Sequence, residues 1–113
     1  MATLEIRTKK DRSAMVVSLK GRLDALSSPE FEKELSTLIA DGEKDFIIDF
    51  NELDYISSAG LRSILTTIRG LKEKDGKLLL CSLKDIVKEV FEISGLSTII
   101  PIYDSVESAL AER

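Results

Sequence analysis

Phe46-Ile47-Ile48-Asp49-Phe50 and, a few polar residues later, Tyr55-Ile56-Ser57-Ser58-Ala59-Gly60-Leu61 make up the passage on which the reading of the fold turns. The first five residues are almost continuously apolar, the pattern of a strand. From Leu61 the period changes. Leu61, Ile64, Leu65, Ile68 and Leu71 recur at helical spacing, with Arg62, Thr66 and Arg69 off that stripe. A strand predicted over residues 44–50 therefore hands the chain to a helix beginning at Leu61. Ser57 and Ser58 sit at the junction, where the N–H groups of a new helix lack partners and its dipole is positive. A hydroxyl placed there is exposed, and a phosphate on it would be well received.

The same alternation extends in both directions. Residues 4–9 alternate apolar and polar, as in a strand with one covered face, and after a polar turn residues 15–19 form a second strand. Ser27-Ser28-Pro29-Glu30 reads as a helix start, followed by Phe31, Leu35, Leu38 and Ile39 on one face. Beyond the central helix, residues 77–81 form a strand. Ser82 to Asp85 resembles a capping box for a helix with Ile86, Val87, Val90 and Phe91 inward. Residues 98–102 are expected as a short edge strand, since Pro101 cannot donate to a ladder, and Asp104 to Glu107 cap a last helix. The order β-β-α-β-α-β-α-β-α predicts a single α/β domain over residues 1–113, with a mainly parallel or mixed sheet of four to five strands and four helices. Its parallel strands end at one edge, so loops 21–28 and 51–58 and the turn near Ser82 are expected to meet there.

Composition removes several classes of function. The chain of 113 residues contains no histidine, which excludes phosphohistidine carriers, histidine metal sites and histidine-dependent serine hydrolases within it. A net charge of −4 argues against nucleic acid as the partner. No run approaches the roughly 18 apolar residues of a membrane span, and the first residues do not read as a signal peptide, so a soluble, cytoplasmic protein is expected. Cys81, alone in its apolar run, reads as a buried strand residue. Asp49 and Asp54 lack the clustered oxygen ligands of a metal site. The first two strands lack the terminal acid pair that a phosphoacceptor receiver domain needs. No catalytic residue, metal or cofactor is expected.

Residue by residue the junction stays open to two readings. Ser57 or Ser58 can be a helix cap or a regulatory hydroxyl. Gly60 can ease a tight turn or leave N–H groups accessible to phosphate oxygens. Asp24 can hold an Asx turn, and Arg62 and Arg69 can be solvated or face a partner.

The chain resembles the STAS domain of bacterial anti-sigma-factor antagonists. The resemblance is carried by Gly21-Arg22-Leu23-Asp24, by Asp54 to Arg62, by Gly76 to Leu80, by Phe91 to Leu96 and by Asp104 to Leu110. It implies a regulatory binding module in which one serine at the junction is the phosphorylation switch. Alignment on Gly60-Leu61 puts the acceptor at Ser58, with Ser57 as runner-up. Ser57 stands where the family often has Asp, and Ala59 where it has a second serine. By the same resemblance, Gly21, Asp24, Ser57, Ser58, Gly60 and Arg62 form the partner surface. The implied partners are an anti-sigma factor with serine kinase activity and a metal-dependent serine phosphatase, the free protein being a monomer. STAS domains also serve as adaptors in lipid-transport or stress-signalling assemblies, which is the alternative.

Overall fold

The computed structural model describes residues 3–112; residues 1, 2 and 113, the ends of the expected domain, lie outside it. The elements are β1 (Leu4–Asp11), β2 (Ala14–Leu23), α1 (Ser28–Ala40), β3 (Asp45–Ile56), α2 (Ser58–Lys72), β4 (Lys77–Cys81), α3 (Asp85–Ile93), a 3-10 turn (Leu96–Thr98), β5 (Ile102–Tyr103) and α4 (Val106–Glu112). The sheet runs β1-β2-β3-β4-β5 in chain order. β1 is antiparallel to β2, and every other neighbouring pair is parallel.

Alternation along the strands explains the two cores. Met15, Val17 and Leu19 of β2, Phe46 and Ile48 of β3, and Leu78 and Leu80 of β4 point to one face, where α1, α2 and α3 bring Phe31, Leu35, Ile64, Leu71, Val87 and Phe91. The residues between them, Ala14, Val16, Ile47, Leu79 and Cys81, point to the other face and meet Ala109 and Leu110 of α4. Because the strand order never reverses, successive crossovers of one hand lay their helices on one side of the sheet. Phe50 and Phe91 lock α3 onto β3 by an edge-to-face contact, with centroids 5.7 Å apart.

Four expectations are corrected. β3 does not end at Phe50 but runs on to Ile56, taking in most of the expected loop. Its register against β2 shifts twice, between Ser18 and Lys20 and between Gly21 and Arg22, each time with one extra residue on β3. These bulges bury Phe50, Leu53 and Ile56 at a spacing of three, which is why the stretch does not look like a strand. Second, α3 has no side-chain cap and begins after Lys84; Ser82 stands at φ 63°, outside the helix, and Ile86 is exposed. Third, residues 98–102 are mostly not strand: the 3-10 turn takes Thr98, and β5 is a two-residue edge segment. Fourth, Ser105 rather than Asp104 caps α4: Ser105 and Ser108 each donate a backbone N–H to the other's hydroxyl oxygen.

Candidate functional site

The ends of β2 and β3 are register neighbours, Arg22 opposite Tyr55 and Leu23 opposite Ile56, which brings the segment around Asp24 beside the serine junction. The Leu23 carbonyl ties them together. It accepts the Ser57 N–H at 3.0 Å, and a Cβ on Gly60 would lie only 2.5 Å from it. Glycine at 60 is thus demanded by close approach of α2 to β2. Its N–H is not left for a phosphate, because it donates to Ser57 Oγ at 3.3 Å. The turn near Ser82 does not join them: Cys81 pairs with Asp49, seven residues short of Ile56.

The two serines divide the two roles read from the sequence. Ser57 is the N-cap of α2, in extended backbone conformation, with its hydroxyl oxygen engaged by Gly60. Ser58 is the first helical residue, exposed, and its hydroxyl makes no hydrogen bond to the protein among the described residues. Ser63, one turn further on, is buried and donates to Glu32 Oε2 at 2.6 Å, pinning α2 to α1.

Asp24 is an Asx-turn residue. Its Oδ1 accepts the Leu26 N–H at 3.1 Å and the Ser27 N–H at 3.2 Å. The Ser27 N–H above all holds the carboxyl below its ordinary value of 3.8 against partial dehydration; the Leu26 N–H, the Ser27 hydroxyl and Arg22 act in the same direction. Ser27 stands at the N-cap position of α1 but makes no side-chain cap; it turns its hydroxyl to the Arg22 carbonyl at 2.8 Å and accepts the Asp24 N–H at 3.0 Å. Gly21, at φ 105°, is where β2 crosses the backbone of Thr3: a Cβ there would lie 2.4 Å from the Thr3 oxygen. Arg62 is exposed on α2, one turn after Ser58.

Two residues at this edge were not singled out from the sequence. Arg22 stacks over the Tyr55 ring at 4.3 Å and stands 3.6 Å from Asp24 Oδ2, so it braces the turn against β3. Leu26, at the tip of that turn, is 83% exposed although its backbone is fixed by Asp24. Cross-strand register would have found Arg22 and Tyr55, but the bulges hid that register. Leu26 carried a signal, an apolar residue within a polar loop. Among the described residues no group of acids and cysteine is clustered for a metal, and no helix is long and apolar enough to cross a membrane.

A sequence profile of the STAS domain matches residues 5–109. A candidate anti-sigma factor antagonist of Bordetella bronchiseptica, BtrV, is 38% identical over 96% of this chain and 93% of its own. The anti-sigma-B factor antagonist of Staphylococcus aureus is 28% identical over 92% of this chain and 96% of its own. Among solved structures, the Bacillus anti-sigma factor antagonist SpoIIAA superposes in its unphosphorylated form with a TM-score of 0.83, at 25% identity over 96% of this chain and 95% of that one. Its phosphorylated form gives a TM-score of 0.75 at 24% identity, over 96% and 98% of the two chains. The chain belongs to the STAS domain family, among the anti-sigma factor antagonists.

Proposed function

We propose that this protein is a phosphorylation-switched antagonist. Unmodified, it binds an anti-sigma factor that is also a serine kinase, and so frees a sigma factor. The kinase transfers the γ-phosphoryl group of ATP to Ser58 Oγ, which gives up its proton; the bond to the β,γ-bridging oxygen breaks, ADP leaves, and the complex separates. A metal-dependent serine phosphatase hydrolyses the ester and resets the switch. ATP and metal belong to those partners, and this chain is a cytoplasmic monomer that catalyses nothing. The observation that carries the reading is the state of Ser58: exposed, its hydroxyl without a hydrogen bond among the described residues, and the first residue of α2 beside the Asp24 turn. Gly21, Asp24, Ser57, Gly60 and Arg62 belong to the same contact surface in this reading, Gly21 and Gly60 by fixing its backbone.

Phosphate would add about −1.5 to −2 charges at the end of a helix whose dipole favours them, so it should leave the fold intact. The existence of SpoIIAA in both forms with this fold supports that expectation. Binding is lost at the interface instead. Burying a hydrated dianion against a surface shaped for a hydroxyl costs several kcal/mol, on the order of a thousandfold in affinity.

Phosphopeptide mass spectrometry after incubation with the cognate kinase and ATP should place one phosphate on Ser58, and Ser58→Ala should abolish it. Ser58→Asp should lose affinity for the anti-sigma partner in isothermal titration while its thermal midpoint stays level or rises slightly. Modification of Ser57 with Ser58→Ala still labelled would overturn the acceptor assignment. A lowered midpoint for Ser58→Asp with loss of folded signal would mean that the switch works by unfolding.

A further inference from the structure

Carboxylates partner three of the arginines in the described residues. Arg7 pairs with Glu5, Arg12 with Glu107 and Asp11, and Arg22 with Asp24. The guanidinium groups of Arg62 and Arg69 have no ion pair or hydrogen bond among the described residues, on a chain of net charge −4. Both line one shallow surface depression, with Ser58, Arg62, Leu65 and Arg69 of α2 along one wall and Ser94 and Leu96 on the other. No carboxylate lines it.

The helix accounts for why Arg62 is left unpaired. Side chains three or four residues apart on a helix are neighbours, and those positions around Arg62 are Ser58, Ala59, Leu65 and Thr66. None is charged. A helical side chain also leans toward the N-terminus, over the turn before its own Cα. Arg62 therefore leans toward Ser58, one turn earlier. Arg69 stands eleven residues beyond Ser58, roughly 16 Å along the helix axis, too far to reach the same group.

We infer that Arg62 is the intramolecular counter-ion of phosphorylated Ser58, a phosphate-holding residue that engages only after modification. The inference rests on Ser58 as the acceptor proposed above. A guanidinium offers paired N–H donors that match phosphate oxygens, so the dianion is held against α2 rather than left swinging in solvent. The same event withdraws the depression's nearest free cation from any partner, so modification both adds a negative group and removes a positive one.

The test needs no kinase. Phosphoserine is installed at position 58 during synthesis of the full chain, and its second ionisation is followed by 31P NMR titration in otherwise wild-type protein and in Arg62→Gln, Arg62→Lys and Arg69→Gln. A nearby cation favours the dianion, so the pKa should be about 0.3–0.7 lower with Arg62 present than in Arg62→Gln, the size expected for a solvent-exposed pair. Arg62→Lys should fall between, and Arg69→Gln should match the wild type. Equal pKa values with and without Arg62, or an equal effect of Arg69→Gln, would overturn the inference. If the kinase marks Ser57 instead, the acceptor assignment fails while this measurement still reports on Arg62.

Discussion

The Ser57 hydroxyl accepts the Gly60 N–H and the Ser58 hydroxyl bonds to no described residue, so these adjacent hydroxyls should respond differently to removal. Ser57→Ala deletes a helix cap and should cost about 0.5–1 kcal/mol, read as a lowered denaturant midpoint at unchanged slope, whereas Ser58→Ala should leave the midpoint where it was. Asp24 makes a different prediction, because its carboxyl is held below 3.8 in the folded protein. A depressed folded pKa means that the carboxylate stabilises the fold above the ordinary carboxyl range and loses that effect as pH falls through the lowered value. Thermal midpoints of wild type and Asp24→Ala should therefore differ at neutral pH and converge as pH falls through that lowered value. Midpoints that stay equally separated at low pH would show that the carboxylate's charge is not what holds the turn. Both readings of Asp24 were visible in the sequence, but its brace of Arg22 and Tyr55 was not, since that contact exists only once two bulged strands are in register.

At the scale of elements, the site depends on how closely α2 can start against the end of β2. Gly60→Ala would push a methyl group to 2.5 Å from the Leu23 carbonyl oxygen and 2.8 Å from Ile56 Cγ1. The backbone must give, at about 1–3 kcal/mol, and chemical denaturation should report the loss. A midpoint equal to wild type would show that α2 has slack there. The strand-to-helix junction was legible because the hydrophobic period changes between Phe50 and Leu61. The second half of β3 was not, because bulges replace alternation by a spacing of three in Phe50, Leu53 and Ile56. For α3 the apolar run gave a helix but not its phase: Val87 and Phe91 face the core while Ile86 looks outward. β5 is too short for any pattern, and only Pro101 marked it as an edge.

Across the whole molecule, the two faces of the sheet are covered unequally, by three helices on one side and by α4 on the other. Cys81 lies on the side of α4, fully buried, and loss of hydration pushes its thiol up to about 11. Native protein should resist thiol reagents at pH 8, with labelling appearing only as the fold opens. Because the folded value lies above the ordinary 9.0, this group's contribution to stability is complete below pH 9 and is lost as pH rises through about 11. Rapid labelling of native protein would mean that α4 lifts readily from the sheet. The strand order has a consequence of another kind. Open sheets that bind dissolved metabolites do so in the crevice where strand order reverses and helices part to opposite faces. Here the order climbs from β1 to β5 without a reversal, so that crevice is never created. A domain built this way lacks the inlet by which an open sheet ordinarily takes in a metabolite. In the function proposed above, its signal is instead written on its outside by another protein, and a bare hydroxyl at the mouth of a helix is a place to write.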